Sequence, residues 1–114
     1  MNSEEEIRAA EEAIKAEPRL TEEQEVILYN IMLRQDELGR QPTNLLVEKV
    51  VGSPIYQPML DRELLTYDLY DYGGEGAPKV ASLIVTLKGT RYCIVYGDEI
   101  SKKRKWNAAG ETIN

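Results

Sequence analysis

Val80-Ala-Ser-Leu-Ile-Val-Thr-Leu-Lys-Gly-Thr-Arg-Tyr-Cys-Ile-Val-Tyr96 is the stretch on which the fold turns. Its β-branched and apolar residues predict two strands, 80–87 and 92–96. Between them Lys88-Gly89-Thr90 reads as a short hairpin turn, because glycine reaches positive φ without steric cost. Ile84 and Val85 are adjacent apolar residues, so both hairpin faces are expected to be at least partly covered. Just upstream, Gly73-Gly-Glu-Gly-Ala-Pro78 is a flexible turn. Before it, Thr66-Tyr-Asp-Leu-Tyr-Asp-Tyr72 fits two patterns. As a helix it sets Leu65, Leu69 and Tyr72 on one side; as a strand it uses the preference of Tyr and Thr for sheets.

The rest of the chain is patterned as helix. Ser3 with Glu6 is a capping box, and Ile7, Ala10 and Ile14 form a thin apolar seam before Pro18. Thr21 with Gln24 is a second capping box, with Leu20 as a staple residue ahead of it. The helix that follows, residues 22–38, is apolar on nearly every face from Val26 to Leu33, the pattern of a central helix. Gly39 and Pro42 mark its end. Thr43 caps a predicted short helix, 44–51, whose Leu46, Val47, Val50 and Val51 recur at helical spacing. Ser53-Pro54 opens a fourth helix that begins in earnest at Pro58 and runs through Leu64 and Leu65. The fold class is therefore α+β: N-terminal helices packed on a C-terminal antiparallel hairpin or three-stranded meander. Residues 1–20 form a loosely attached acidic helix, 21–100 the globular domain, and 101–114 a basic, flexible tail.

Composition narrows the function. At 114 residues the chain hides roughly 65% of its unfolded surface, enough for one core. There is no histidine and one cysteine, Cys93, so the usual general base, the Cys-His and Ser-His pairs and a zinc site are all excluded. No apolar run approaches the ~18 residues that span a membrane. The acidic N-terminus is no secretory signal, and the lone cysteine fits a reducing cytoplasm. Neither an enzyme nor a cofactor or metal site is expected. Seven Tyr and no Phe favour half-wet surfaces that bind.

Charge is divided along the chain. Residues 1–78 hold 7 Lys/Arg against 17 Asp/Glu, a balance of −10; residues 79–114 hold 7 against 3, a balance of +4. Opposite signs on successive segments predict separate surfaces.

The order helix, helix, glycine-containing turn, helix, hairpin resembles a winged helix-turn-helix. Leu45–Val51 carries the second helix, Val51-Gly-Ser-Pro54 the turn and Val80–Tyr96 the wing. Val85-Thr-Leu-Lys-Gly-Thr-Arg-Tyr92 is also similar to a stretch near the C-terminal end of many small bacterial and phage winged-helix proteins. In that reading Thr86 caps a final helix rather than lying in a strand. The resemblance covers residues 21–97 and implies a DNA-binding regulator whose recognition helix is residues 54–72. That segment departs from the pattern: its one base, Arg62, faces Asp61, Glu63, Asp68 and Asp71, a balance of −3, which a phosphate surface repels.

Two functions follow as expectations. The first is a small regulatory or inhibitory protein that binds a basic protein partner through an acidic, Tyr-bearing surface of Asp61, Glu63, Tyr67, Asp68, Tyr70, Asp71 and Tyr72. By analogy, small phage-encoded inhibitors act in this way. The second is a winged-helix regulator touching DNA through Lys88, Arg91, Lys102, Lys103, Arg104 and Lys105, with Trp106 to stack on a base. The sequence leaves the oligomeric state open.

Overall fold

The computed structural model describes residues 3–36, 43–71, 73–74 and 76–103. Helices α1 (Ser3–Ala16) and α2 (Glu22–Asp36) lead into strand β1 (Thr43–Leu46), a single 3-10 turn (Val47–Lys49) and the short helix α3 (Tyr56–Asp61). Strands β2 (Leu65–Asp71) and β3 (Lys79–Val85) follow, then helix α4 (Leu87–Val95) and a helical run over 97–103. The three strands form one antiparallel sheet in the order β1-β3-β2. The α+β class expected from sequence is observed; β3 lies centrally, so the sheet is not a meander.

Helix α2 starts where its capping box predicts. The Thr21 N–H donates to Gln24 Oε1 at 2.9 Å and the Gln24 N–H to Thr21 Oγ1 at 3.1 Å. Leu28 and Ile31 are buried, and Ile27, Tyr29 and Met32 pack against the core from the flanks, as a central helix requires. Gly39 and Pro42, read as its end, lie outside the described residues, as does the side chain of Ser3. At its far end, the Gln35 side-chain amide accepts from the Val85 N–H at 2.8 Å and donates to the Val85 carbonyl at 3.4 Å. It takes up both backbone groups of Val85, two residues past the Leu83 that pairs with Thr43.

Two expectations are corrected. The helix expected over 44–51 is strand β1 followed by a 3-10 turn. Pairing of Thr43–Leu46 with Leu83–Val80 outweighs the helical spacing, and Val51, expected on the buried face, is 46% exposed. The fourth helix is only six residues long. Ser53 Oγ accepts from the Ile55 and Tyr56 N–H groups, and Pro58 falls in the first turn, where its missing N–H costs nothing. The helix stops at Glu63, which adopts φ 59° while the Leu64 N–H reaches the Met59 carbonyl (3.0 Å) and the Glu63 N–H the Leu60 carbonyl (3.0 Å). This is a left-handed helix end built on a non-glycine residue. Residues 65–71 are strand, the second of the two patterns that fit them.

The hairpin expected over 80–96 is also absent. Strand β3 ends at Val85, and Thr86 caps α4: its Oγ1 accepts from the Gly89 N–H at 3.0 Å and donates to the Glu63 carbonyl. Tyr92–Tyr96, expected as a strand, continues the helix into its cap. Gly89 serves close approach rather than positive φ. A Cβ there would collide with the Leu64 carbonyl oxygen and come within 2.8 Å of Val85 Cγ1. The hairpin that does form joins β2 to β3. The core comprises Ile14 of α1, Leu28 of α2, Met59 of α3, Leu65, Ala81 and Leu83 of the sheet, and Tyr92 and Cys93 of α4.

Candidate functional interface

Alternation along β2 and its register with β3 place the acidic segment. Leu65↔Val85, Tyr67↔Leu83, Leu69↔Ala81 and Asp71↔Lys79 share the face that turns toward the core at its Leu65 end. Thr66↔Ile84, Asp68↔Ser82 and Tyr70↔Val80 share the other face, where Leu46↔Val80 extends the apolar row. Leu69 and Tyr70 are about half exposed. From Asp68 to Asp71 every residue of β2 is exposed, and the strand carries two carboxylates and no base.

The structure separates the residues that sequence grouped. Asp61 ends α3, with its Oδ1 accepting from Gln57 Nε2 at 2.8 Å. Glu63 is exposed at the left-handed turn. Asp68, Tyr70 and Asp71 lie further along on the exposed strand, and Tyr67 is half-buried against the core. Asp71 Oδ1 accepts from the Gly73 N–H at 3.0 Å. Tyr72 lies outside the described residues.

The basic candidates are divided too. Lys88 Nζ lies 3.0 Å from Glu17 Oε2 and donates to the Arg62 carbonyl, while Arg62 Nε donates to Glu17 Oε1 at 3.2 Å. The hydrogen bond from Lys88 above all holds the Glu17 carboxyl below its ordinary range. Lys88 and Arg62 are thus engaged within the protein. Arg91 and Lys102 are exposed and Lys103 half-buried; Arg104, Lys105 and Trp106 lie outside the described residues.

A second charged group was not anticipated. Glu25, 1% exposed, receives two hydrogen bonds from Arg19 (3.0 and 2.9 Å) and one from the Tyr92 hydroxyl (2.6 Å). The same hydroxyl accepts from the Leu20 N–H at 2.9 Å. Arg19 also pairs with Glu99 and stacks 4.1 Å above the Tyr96 ring. Burial, reinforced by Glu25, pushes the Tyr92 hydroxyl well above its ordinary pKa. The sequence held one signal for it: Glu25 sits three residues before Leu28, an acid on the face of α2 that the pattern assigns to the core. Its partner Tyr92, 67 residues away along the chain, left no local trace.

Cys93 is buried, as expected, though in a helix, and burial pushes its thiol up to about 12, far from a reactive thiolate. Among the described residues no three His, Cys, Asp or Glu side chains gather to hold a metal ion, and no helix is long and apolar enough to cross a membrane. Set against known proteins, the chain matches no family, no curated protein and no solved structure.

Proposed function

We propose that this chain is a non-enzymatic regulatory or inhibitory protein that binds a basic protein partner through the acidic, Tyr-bearing strand β2. One observation carries the reading: β2 is exposed from Asp68 to Asp71, with two carboxylates and no base of its own, Lys79 alone standing across the ladder from Asp71, while Arg62 and Lys88 are held by Glu17. Half-exposed Leu69 and Tyr70 add apolar contact of the kind that interfaces use. A winged-helix-like frame fits the arrangement: α2, β1, a turn, α3 and the β2–β3 hairpin follow in order, with β1 beside β3. The charge reversals Asp68→Lys and Asp71→Lys test this reading. In a pull-down from the native host lysate they should release the partner retained by the wild type; an unchanged partner band rejects it.

The competing reading is a winged-helix DNA-binding regulator. Thr86 capping α4 favours it, because this is the arrangement that the Val85–Tyr92 resemblance implies. Against it, α3 (Tyr56–Asp61) offers no basic side chain to a DNA groove. Neutralising Lys102 to Lys105 should abolish any duplex binding at low salt, as read by gel shift; unchanged binding removes that role for the tail.

A further inference from the structure

The sheet ends at β2, and the phase of its hydrogen bonds shows which backbone groups are left over. The Thr86 N–H bonds to the Leu64 carbonyl (3.2 Å), and the Val85 N–H points the opposite way, to Gln35. In antiparallel pairing these bonds alternate, so Thr66, Asp68 and Tyr70 bond to β3 while Leu65, Tyr67, Leu69 and Asp71 turn their N–H and C=O groups away from it. Among the described residues no strand takes these groups up, since β3 is the only neighbour of β2. The edge is straight in register for all seven residues of β2, without a bulge. It carries no lysine or proline of the kind that blunts an open edge; its charges are Asp68 and Asp71, on opposite faces.

We infer that β2 binds its partner by strand addition: an extended, basic segment of the partner protein lies along Tyr67–Asp71 and adds a fourth strand to the sheet. This rests on the proposed function and specifies its geometry. The backbone supplies the N–H and C=O groups of Tyr67, Leu69 and Asp71, and the side chains set the preference. Asp68 and Asp71 lie three residues apart on opposite faces, so the added strand carries bases three residues apart with apolar residues between them, opposite Leu69 and Tyr70. Charge argues against a second copy of this chain as the occupant. A two-fold axis at Asp68 opposes two carboxylates, one at Leu69 leaves four carboxylates along the seam without a base, and each copy brings a net charge of −6.

The test uses the full chain labelled with 15N and the synthetic peptide Thr-Lys-Val-Val-Lys-Val-Thr. A second peptide of the same sequence is N-methylated at alternate residues, in both frames, and so keeps every side chain but cannot form a ladder. Strand addition predicts that the plain peptide binds and that the amides of Tyr67, Leu69 and Asp71 become protected from exchange. The N-methylated frame that blocks the facing edge should bind about tenfold more weakly or worse. Leu69→Pro, which removes an N–H that β3 does not use, should weaken the plain peptide by a similar factor. If both peptides bind equally and Asp68→Lys weakens both, strand addition is overturned while the acidic surface stands. Absence of peptide binding at millimolar concentration also overturns strand addition, and the pull-down then judges the surface by itself. Protection of the same amides that rises with protein concentration, without peptide, assigns the edge to a second copy and overturns the basic partner.

Discussion

Two charged regions of this molecule have opposite fates. Around Arg19, Glu25, Tyr92 and Glu99, and around Glu17, Arg62 and Lys88, each charge meets an opposite one, and the contacts tie the linker between α1 and α2 to α4 and to the end of α3. Along β2 the carboxylates of Asp68 and Asp71 stand in solvent, Asp71 with only Lys79 across the ladder and a bond to the Gly73 N–H, Asp68 with Ser82. In the sequence the two regions look alike, as acids scattered among apolar and aromatic residues. What separates them is whether tertiary structure supplies a counter-charge. The first region holds the protein together; the second has only Lys79 opposite Asp71.

That contrast can be broken by experiment. Glu25→Ala leaves the Tyr92 hydroxyl, which still accepts from the Leu20 N–H, in a buried site without an acceptor for its own proton, and should lower stability by about 3 kcal/mol in chemical denaturation. The part-exposed Arg19 can turn to solvent or keep Glu99, which limits the loss. A change below about 0.5 kcal/mol would mean that the buried group is no clasp. Gly89→Ala drives a methyl into the Leu64 carbonyl and should cost about 2 kcal/mol by moving α4 off the turn. Its helical propensity would favour alanine, so stabilisation would show that the approach of α4 is looser than described.

The Glu17 cluster predicts a smaller effect. The folded carboxyl lies below its ordinary value of 4.5, so its contribution is fully present above that value and is lost as pH falls through the lowered one. Lys88→Met should flatten the acid limb of the stability profile by a few tenths of a kcal/mol, because the pair is partly solvated. An acid limb unchanged from that of the wild type would remove the pair from the account. The smallest effect belongs to the edge: Asp68→Lys with Asp71→Lys should alter stability by less than about 0.5 kcal/mol. A large loss would place these carboxylates with the first region and undo the comparison.

How far the sequence discloses this arrangement depends on the range of the forces involved. Helix α2 was legible because its capping box and apolar faces lie within one segment, and Thr21 and Gln24 make the bonds that the pattern predicts. Strand β1 and helix α4 were misread for one reason: the leucines of Thr43–Leu46 and the tyrosine, isoleucine and valine of Leu87–Val95 occur in either state, and pairing or packing elsewhere decided. The Thr86 cap was visible but competed with a longer apolar run. The end of α3 gave no signal, since Glu63 stands where glycine is usual. Of the acidic surface, the residues were legible but not their division between a turn and a strand edge. The Lys88–Glu17 pair spans 71 residues and could not be inferred from spacing.

The Gln35 amide has a practical implication for handling this protein. Because a side chain of α2 satisfies both backbone groups of Val85, the sheet is closed at that corner by α2 itself. The join between α2 and β1 can therefore be lengthened without shifting the pairing of Thr43 with Leu83. A fluorescent or affinity insert spliced there would report on the intact molecule and leave the open edge of the sheet, on the opposite side of β3, unobstructed.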